Sequence, residues 1–178
     1  MVVISLGGSI VVPDAPDSAL IRSYTSVLGD HIETTGDKVV IVIGGGAAAR
    51  RYQAAFRDAG GSDADANAQD WIGIMATRLN AELIRHSLAP YCNDPVVYDP
   101  TGPIDFTGSV LVAAGWKPGF STDNDAVLLA ERFHAATVVN LSNIAQVYSA
   151  DPKSDPSATP LESVSWDEFR GIIGDTWT

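Results

Sequence analysis

Cysteine is nearly absent from this 178-residue sequence. Cys92 stands alone, so no internal disulfide can form and packing must hold the fold. A cytoplasmic address fits that usage. Basic residues are also scarce, with 11 Lys and Arg against 22 Asp and Glu, for a formal net charge of -11. Such a surface disfavours nucleic acid and anionic membranes as partners. It repels nucleotides too, so any phosphate site must rest on local donors: backbone N–H groups, a few Arg or Lys, and a metal ion. The acidity equally fits solubility or a salty habitat. Long apolar runs are missing; the longest, around 39–49, is too short to span a bilayer. The opening MVVISLGGSIVV lacks a positive n-region and a cleavage site, and reads as a buried strand. Walker A and G-x-G-x-x-G motifs are absent, which argues against P-loop and Rossmann chemistry. Without H-E-x-x-H or a Cys/His cluster, a zinc site is unsupported. Without G-x-S-x-G, no serine nucleophile elbow is visible. His31, His86 and His134 share no spacing and read as surface residues.

What is present is a 46% hydrophobic chain with 19% charged residues, enough for one domain with a substantial core. Residues 2–6 are a β-branched run ending in the glycine turn 7–9. Asp17 or Ser18 caps a helix through about 34, and Gly36 stops it. Residues 38–43 form a second buried strand that runs into Gly44, Gly45 and Gly46, then a helix closed by Gly60. The stretch 60–68 is loop-like. Residues 70–88 give the clearest helix, with Trp71, Ile74, Met75, Leu79, Leu83 and Ile84 at helical spacing. Segments 96–98, 110–113 and 137–141 read as strands, and 147–148 as a short extended piece. Thr122 or Asp123 caps a helix through about 133. Ser165 and Glu168 form a capping box for a last helix, which Gly174 stops. Strands alternate with helices and read as continuous apolar runs. That is the pattern of an α/β fold whose mainly parallel sheet is covered on both faces.

Three glycine-rich turns each follow an apolar strand: 7–9, 44–46 and the loop 115–122. In open parallel sheets, ligands bind outside the carboxyl ends of the strands. Glycine there lets backbone approach an anion, and a helix starting next adds unpaired N–H groups and a positive dipole end. The turn at 44–46 fits best, because it opens into a helix carrying Arg50 and Arg51. Glycines also serve simply as tight turns; three at one sheet edge favour a phosphate site. Asp123 at a helix start is equally an N-cap. Arg78 and Asn80 equally fit a solvated helix face, and Tyr148 with Asp151 a plain turn.

Taken in order, SLGGSIVVPD, VIGGGAAARRY, DWIGIMATRLNAELI, GWKPGFSTDNDAVLLAE and NLSNIAQVYSADPKSDP resemble the archaeal-type UMP kinase family, a branch of the amino acid kinase superfamily. The resemblance implies a three-layer α/β/α sandwich of the amino acid kinase, or carbamate kinase-like, fold. It implies one domain over 1–178, incomplete at its C-terminus, with a UMP-binding side over about 1–135 and the start of an ATP-binding side over 136–178. The implied activity is transfer of the ATP γ-phosphate to UMP, with Mg²⁺ carried by ATP and no metal site of the protein's own. Gly45, Asp70, Arg78, Trp116, Lys117, Pro118, Gly119, Phe120, Ser121 and Thr122 would meet UMP. Gly8, Ser9, Gly46, Arg50, Ser142, Asn143, Tyr148 and Asp151 would meet ATP. Asp123, Arg50 and Lys117 would act in catalysis, Asp123 by orienting other groups rather than by taking a proton. The family also implies a homo-oligomer, a hexamer built from dimers.

The chain departs from the pattern in three places. Ser5 stands where many superfamily members carry a lysine, so Lys117, Arg50 or Arg78 would supply the charge. Ala145 stands where relatives commonly carry an acid. Relatives also continue past Trp177, which implies weak or no activity for residues 1–178 alone. Three other readings stay open: a kinase of the same fold acting on another small phosphate or carboxylate, a non-catalytic binder of nucleotides or oxyanions, and a doubly wound domain whose glycine turns are ordinary turns.

Overall fold

The computed structural model describes residues 1–61 and 65–173. The expected stop at Gly174 lies outside these residues, as does part of the loop 60–68. Two compact units are present, Met1–Asn143 and Ile144–Thr178.

The first unit is built on four parallel strands: β1 (Val2–Leu6), β2 (Val39–Ile43), β3 (Val110–Ala113) and β4 (Thr137–Leu141). Their order is β3-β2-β1-β4. Leu6 pairs with Ile43 on one side and Leu141 on the other, while Val42 pairs with Ala113. All four strands therefore reach their carboxyl ends at the same edge. Every residue of β2 is buried, as a central strand covered on both faces requires.

The strand period of two sorts side chains between the two faces. Val39, Ile41, Ile43, Val110 and Val112 pack into one core with helices α1 (Gly8–Val11), α2 (Ser18–Thr35), α3 (Gly46–Asp58) and α4 (Ala66–Ser87). Val3, Val40, Val42, Leu111 and Ala113 pack on the other face against α5 (Thr122–Arg132), chiefly Ala126, Leu129 and Ala130. The result is the three-layer α/β/α sandwich.

Local signals set most helix ends. The Asp17 carboxylate accepts the N–H groups of Ala19 and Leu20, and Gly36 closes α2 in the left-handed region at φ 69°. Elsewhere the structure corrects the sequence reading. The long helix begins at Ala66 rather than Asp70, because Asp65 caps it by accepting the Ala68 N–H. Ser121, not Thr122 or Asp123, caps α5 through its hydroxyl at the Asn124 N–H. Residues 96–98 make one parallel bridge, Val97 to Ala113, instead of a strand. The turn at 7–9 already contains the start of α1. On α4, Ile74 and Ile84 enter the core, but Trp71, Met75, Leu79 and Leu83 face outward.

In the second unit Tyr148 bridges Pro160 in antiparallel fashion, and α6 (Trp166–Ile173) follows. Its capping box forms as the sequence predicts. Glu168 accepts the Ser165 N–H at 2.8 Å, and Ser165 Oγ accepts the Glu168 N–H at 3.3 Å.

Candidate active site

The first two glycine turns pack backbone against backbone. A Cβ on Gly8 would lie 2.1 Å from the Gly46 nitrogen and 2.4 Å from the Gly44 carbonyl carbon. Gly46 adopts φ 62°, and a Cβ there would lie 2.2 Å from the Gly8 oxygen. Only glycine fits at this approach. Helices α1 and α3 both start at the junction, so two positive dipole ends meet there, although the first-turn N–H groups of Ile10 and Ala47 already donate to the carbonyls of Gly7 and Val12. Arg50 reaches across from α3, its Nη1 donating to Ser9 Oγ at 3.2 Å. Arg51 is engaged elsewhere, in an ion pair with Asp14.

The strand order reverses direction between β1 and β4, the switch point where open α/β sheets form their ligand crevice. Ser5 and Asn140 are register partners there. Asp123, in the first turn of α5, joins them. Its Oδ1 accepts from Ser5 Oγ at 2.5 Å and from Asn140 Nδ2 at 3.2 Å. Two neutral donors therefore hold this carboxylate, and Ser5 occupies the place where the resemblance leads one to expect a lysine. Asn140 was not among the residues singled out from sequence, because an isolated Asn within an apolar strand carries no motif.

The third turn meets the second along α4. Thr77 Oγ1 accepts the Gly115 N–H at 2.8 Å, and the Thr77 methyl carbon is 3.6 Å from where a Gly45 Cβ would stand. Asn80 Nδ2 donates to the carbonyls of Gly44 at 3.0 Å and Gly45 at 3.1 Å. Asn80 is only 4% exposed, so it is a buried brace rather than a solvated helix residue. The turns at 44–46 and 115–122 thus share one side of the molecule.

Several amides of the loop 115–122 are bound internally. Asp70 Oδ2 accepts the Gly119 N–H at 2.8 Å, Asp125 Oδ2 the Trp116 N–H at 3.2 Å, and the Lys117 carbonyl the Phe120 N–H at 3.3 Å. Gly119 sits at φ 83°, which favours glycine at the tip. Arg78 donates from Nη2 to the Trp116 carbonyl at 3.2 Å and lies 4.5 Å from the Tyr98 ring centroid. Trp116 and Phe120 meet edge to face at 4.8 Å, with Lys117 Nζ 3.7 Å from the Trp116 ring and 4.8 Å from that of Phe120. The loop therefore carries one cation stacked on two aromatic faces. A ligand at this loop would have to use side chains, the remaining amides and the rings.

Among the sequence-derived candidates, Gly8, Ser9, Gly45, Gly46 and Arg50 gather at the first junction. Asp70, Arg78 and the residues of 116–122 gather at the loop, and Asp123 lies at the switch point. Ser142 and Asn143 follow β4, where Gly7 packs close: a Gly7 Cβ would lie 3.6 Å from Ser142 Cα. Tyr148 and Asp151 belong to the second unit, where Asp151 Oδ1 accepts the Lys153 N–H at 2.9 Å. Among the described residues no group of three or more His, Cys, Asp or Glu side chains could hold a metal ion. A single exposed carboxylate such as Asp123 fits a Mg²⁺ that arrives with phosphate ligands and water, which is how that ion ordinarily binds. Among those residues, too, no helix is long and apolar enough to cross a membrane.

Comparison with known proteins agrees with this architecture. The profile described as the amino acid kinase family matches residues 1–177. The chain is 37% identical to the uridylate kinase of Hyperthermus butylicus over 97% of its own length and 74% of that protein's. It is likewise 37% identical to the uridylate kinase of Methanospirillum hungatei, over 97% of its length and 71% of the relative's. The crystal structure of uridylate kinase from Archaeoglobus fulgidus superposes with a TM-score of 0.76 at 35% identity, covering 97% of this chain and 77% of that one. The UMP kinase structure from Bacillus anthracis shares the fold at 19% identity, with a TM-score of 0.76. Parallel sheet, glycine-lined strand ends, switch-point carboxylate and these relatives together place the chain in the amino acid kinase family.

Proposed function

We propose that this chain is a UMP kinase, transferring the γ-phosphoryl group of ATP to UMP to give UDP and ADP. The observation that carries the proposal is 37% identity to uridylate kinases along nearly the whole chain, on a fold that brings three glycine turns to one edge. UMP lies along Gly45, Asp70, Arg78 and the loop 116–122, and ATP phosphates along Gly8, Ser9, Gly46 and Arg50. Ser142 and Asn143, which follow β4, complete the ATP side within the first unit.

The chemistry needs little from the protein beyond alignment and charge. A UMP phosphate oxygen is already ionised near neutral pH, with a second pKa of about 6, so no general base is required. It attacks the γ-phosphorus in line while the bond to the ADP oxygen breaks. Helix-start amides and Arg50 stabilise the spreading negative charge, and Lys117 supplies a second cation at the acceptor loop. Asp123 orients donors at the switch point and accepts no proton from substrate. When bound, Mg²⁺ neutralises phosphate charge. A coupled assay of ADP release, run with UMP, CMP and isopentenyl phosphate as acceptors, tests the proposal. UMP-dependent release well above the other acceptors is expected. Release independent of UMP would overturn it.

The same reading includes a homo-oligomer. Trp71, Met75, Leu79 and Leu83 follow one another at every fourth position of α4 and all face outward, Met75 58% and Leu79 69% exposed. A continuous apolar stripe on the longest helix supports a second copy of the chain as its cover.

A further inference from the structure

Asp125 is 1% exposed, in the first turn of α5 and within the layer that packs on β1 and β2. Its Oδ2 accepts the Trp116 N–H at 3.2 Å, and its Oδ1 is buried with no protein partner. Burial lifts this carboxyl to about 6, against an opposing pull from the Trp116 amide. A buried carboxylate with one oxygen unpaired destabilises a fold, and an apolar side chain of similar size would not. Packing therefore gives no reason for an acid at this position.

The bond to Trp116 gives one. Trp116 opens the loop that carries Lys117 and Phe120, and both its backbone polar groups are fixed from outside the loop. Asp125 on α5 takes the N–H, and Arg78 on α4 donates to the carbonyl at 3.2 Å. The Trp116 ring in turn seats the Lys117 ammonium, 3.7 Å from its centroid, and meets Phe120 edge to face. Release of the N–H would free the start of the loop and with it the register of ring and cation. We propose that Asp125 is a positioning residue for the acceptor nucleotide, its carboxylate holding the Trp116 backbone so that Trp116, Lys117 and Phe120 present one fixed face. The proposal rests on reading the 116–122 loop as the UMP-binding segment.

The test compares Asp125→Val, which keeps the shape and removes the acceptor, with Asp125→Asn, which keeps an acceptor oxygen. KM for UMP, KM for ATP, kcat and melting temperature are measured for both and for the wild type. Asp125→Val is expected to raise KM for UMP about tenfold, the scale of one buried donor left unpaired. KM for ATP should stay within about twofold and the melting temperature should not fall. Asp125→Asn should bring KM for UMP back to within about threefold of wild type. Asp125→Ala carries the same comparison should the Val variant not fold. The proposal is overturned if the acceptor-less variant keeps the wild-type KM for UMP, if both KM values rise together with a lower melting temperature, or if Asn is no better than Val. A wild-type protein that turns over no UMP would sink the acceptor reading itself, whereas a working wild type with an indifferent Asp125→Val sinks this proposal alone.

Discussion

Ser5 and Asn140 face each other across β1 and β4, and their meeting with Asp123 could not be read from the chain. Each alone has a bland reading: a Ser in a strand, an Asn in a strand, an Asp at a helix start. Only the register of two parallel strands, with α5 laid over them, makes them a group. Loss of the Ser5 hydroxyl removes the shorter of the two bonds to Asp123 and leaves Asn140 in place. Ser5→Ala should therefore lower kcat about tenfold, in line with loss of a hydrogen bond to a charged group. Little change in either KM is expected, and steady-state kinetics with both substrates varied decides it. An unchanged kcat would remove Asp123 from the mechanism proposed here. Asp125, two residues on, leads to a pH prediction. Its folded-state value of about 6 lies above the ordinary 3.8, so the folded protein binds that proton more tightly than the unfolded chain. The group's contribution to stability is full below about pH 4 and is lost as pH rises through about 6. Relative to Asp125→Asn, the wild-type melting temperature should fall by a few degrees between about pH 5 and about pH 7. A constant difference across that range would show that the carboxyl does not titrate there.

At the scale of elements, the legible features were those with local causes. Capping by Asp17, the left-handed stop at Gly36 and the Ser165–Glu168 box are each settled within four residues, and the structure shows all three. The four strands were legible because runs such as 39–43 are apolar throughout. The segment 96–98 is also β-branched and aromatic, yet it makes only the Val97 bridge to Ala113, and further along the same strand the Val110 N–H is taken by the Tyr91 carbonyl. The glycine turns were visible as phosphate-site candidates, but their mutual contact was not. That contact makes Gly8 a sharp test. An added Cβ would meet backbone atoms of Gly44 and Gly46, which have no rotamer to yield. Gly8→Ala should cost about 3 kcal/mol, the upper range for overpacking, and lower the melting temperature by roughly 6–12 °C. ADP release should fall with it as the two helix starts separate. Gly36→Asn is the control: its Cβ meets nothing within 4 Å and Asn tolerates the left-handed region, so its melting temperature should drop much less. Equal losses in the two variants would mean that the Gly8 contact is not specially tight.

On the scale of the whole molecule, the architecture is legible in the alternation of apolar strands and helices, but the inward face of α4 is not. Six apolar residues at helical spacing mark α4 as a helix without saying which of them are buried, and the helix divides them: Ile74 and Ile84 go inward and the other four outward. Its inner face is completed by the small or polar residues Thr77, Asn80 and Ala81, of which Thr77 and Asn80 brace the glycine turns. Close approach of α4 to those turns requires small residues, so the larger ones are displaced to the outer side. A hydrophobicity pattern cannot reveal this, since it counts apolar residues without knowing where backbone must come close. The displaced stripe leads to the last prediction. Burying it against a second copy would remove the exposed surface of Trp71, Met75, Leu79 and Leu83 from water, a gain of about 25 cal/mol for each Å² covered. A charge placed in the middle should oppose that strongly, because an unpaired carboxylate cannot be buried cheaply. Light scattering should give the wild type a multiple of the monomer mass and Leu79→Glu a single monomer mass, with unchanged far-UV circular dichroism. Leu79 lies on the face of α4 away from the glycine turns, so loss of UMP phosphorylation in a folded monomer would show that the site needs the partner copy. Retained activity would confine the oligomer to stability, and a monomeric wild type would leave the stripe without the cover assigned to it.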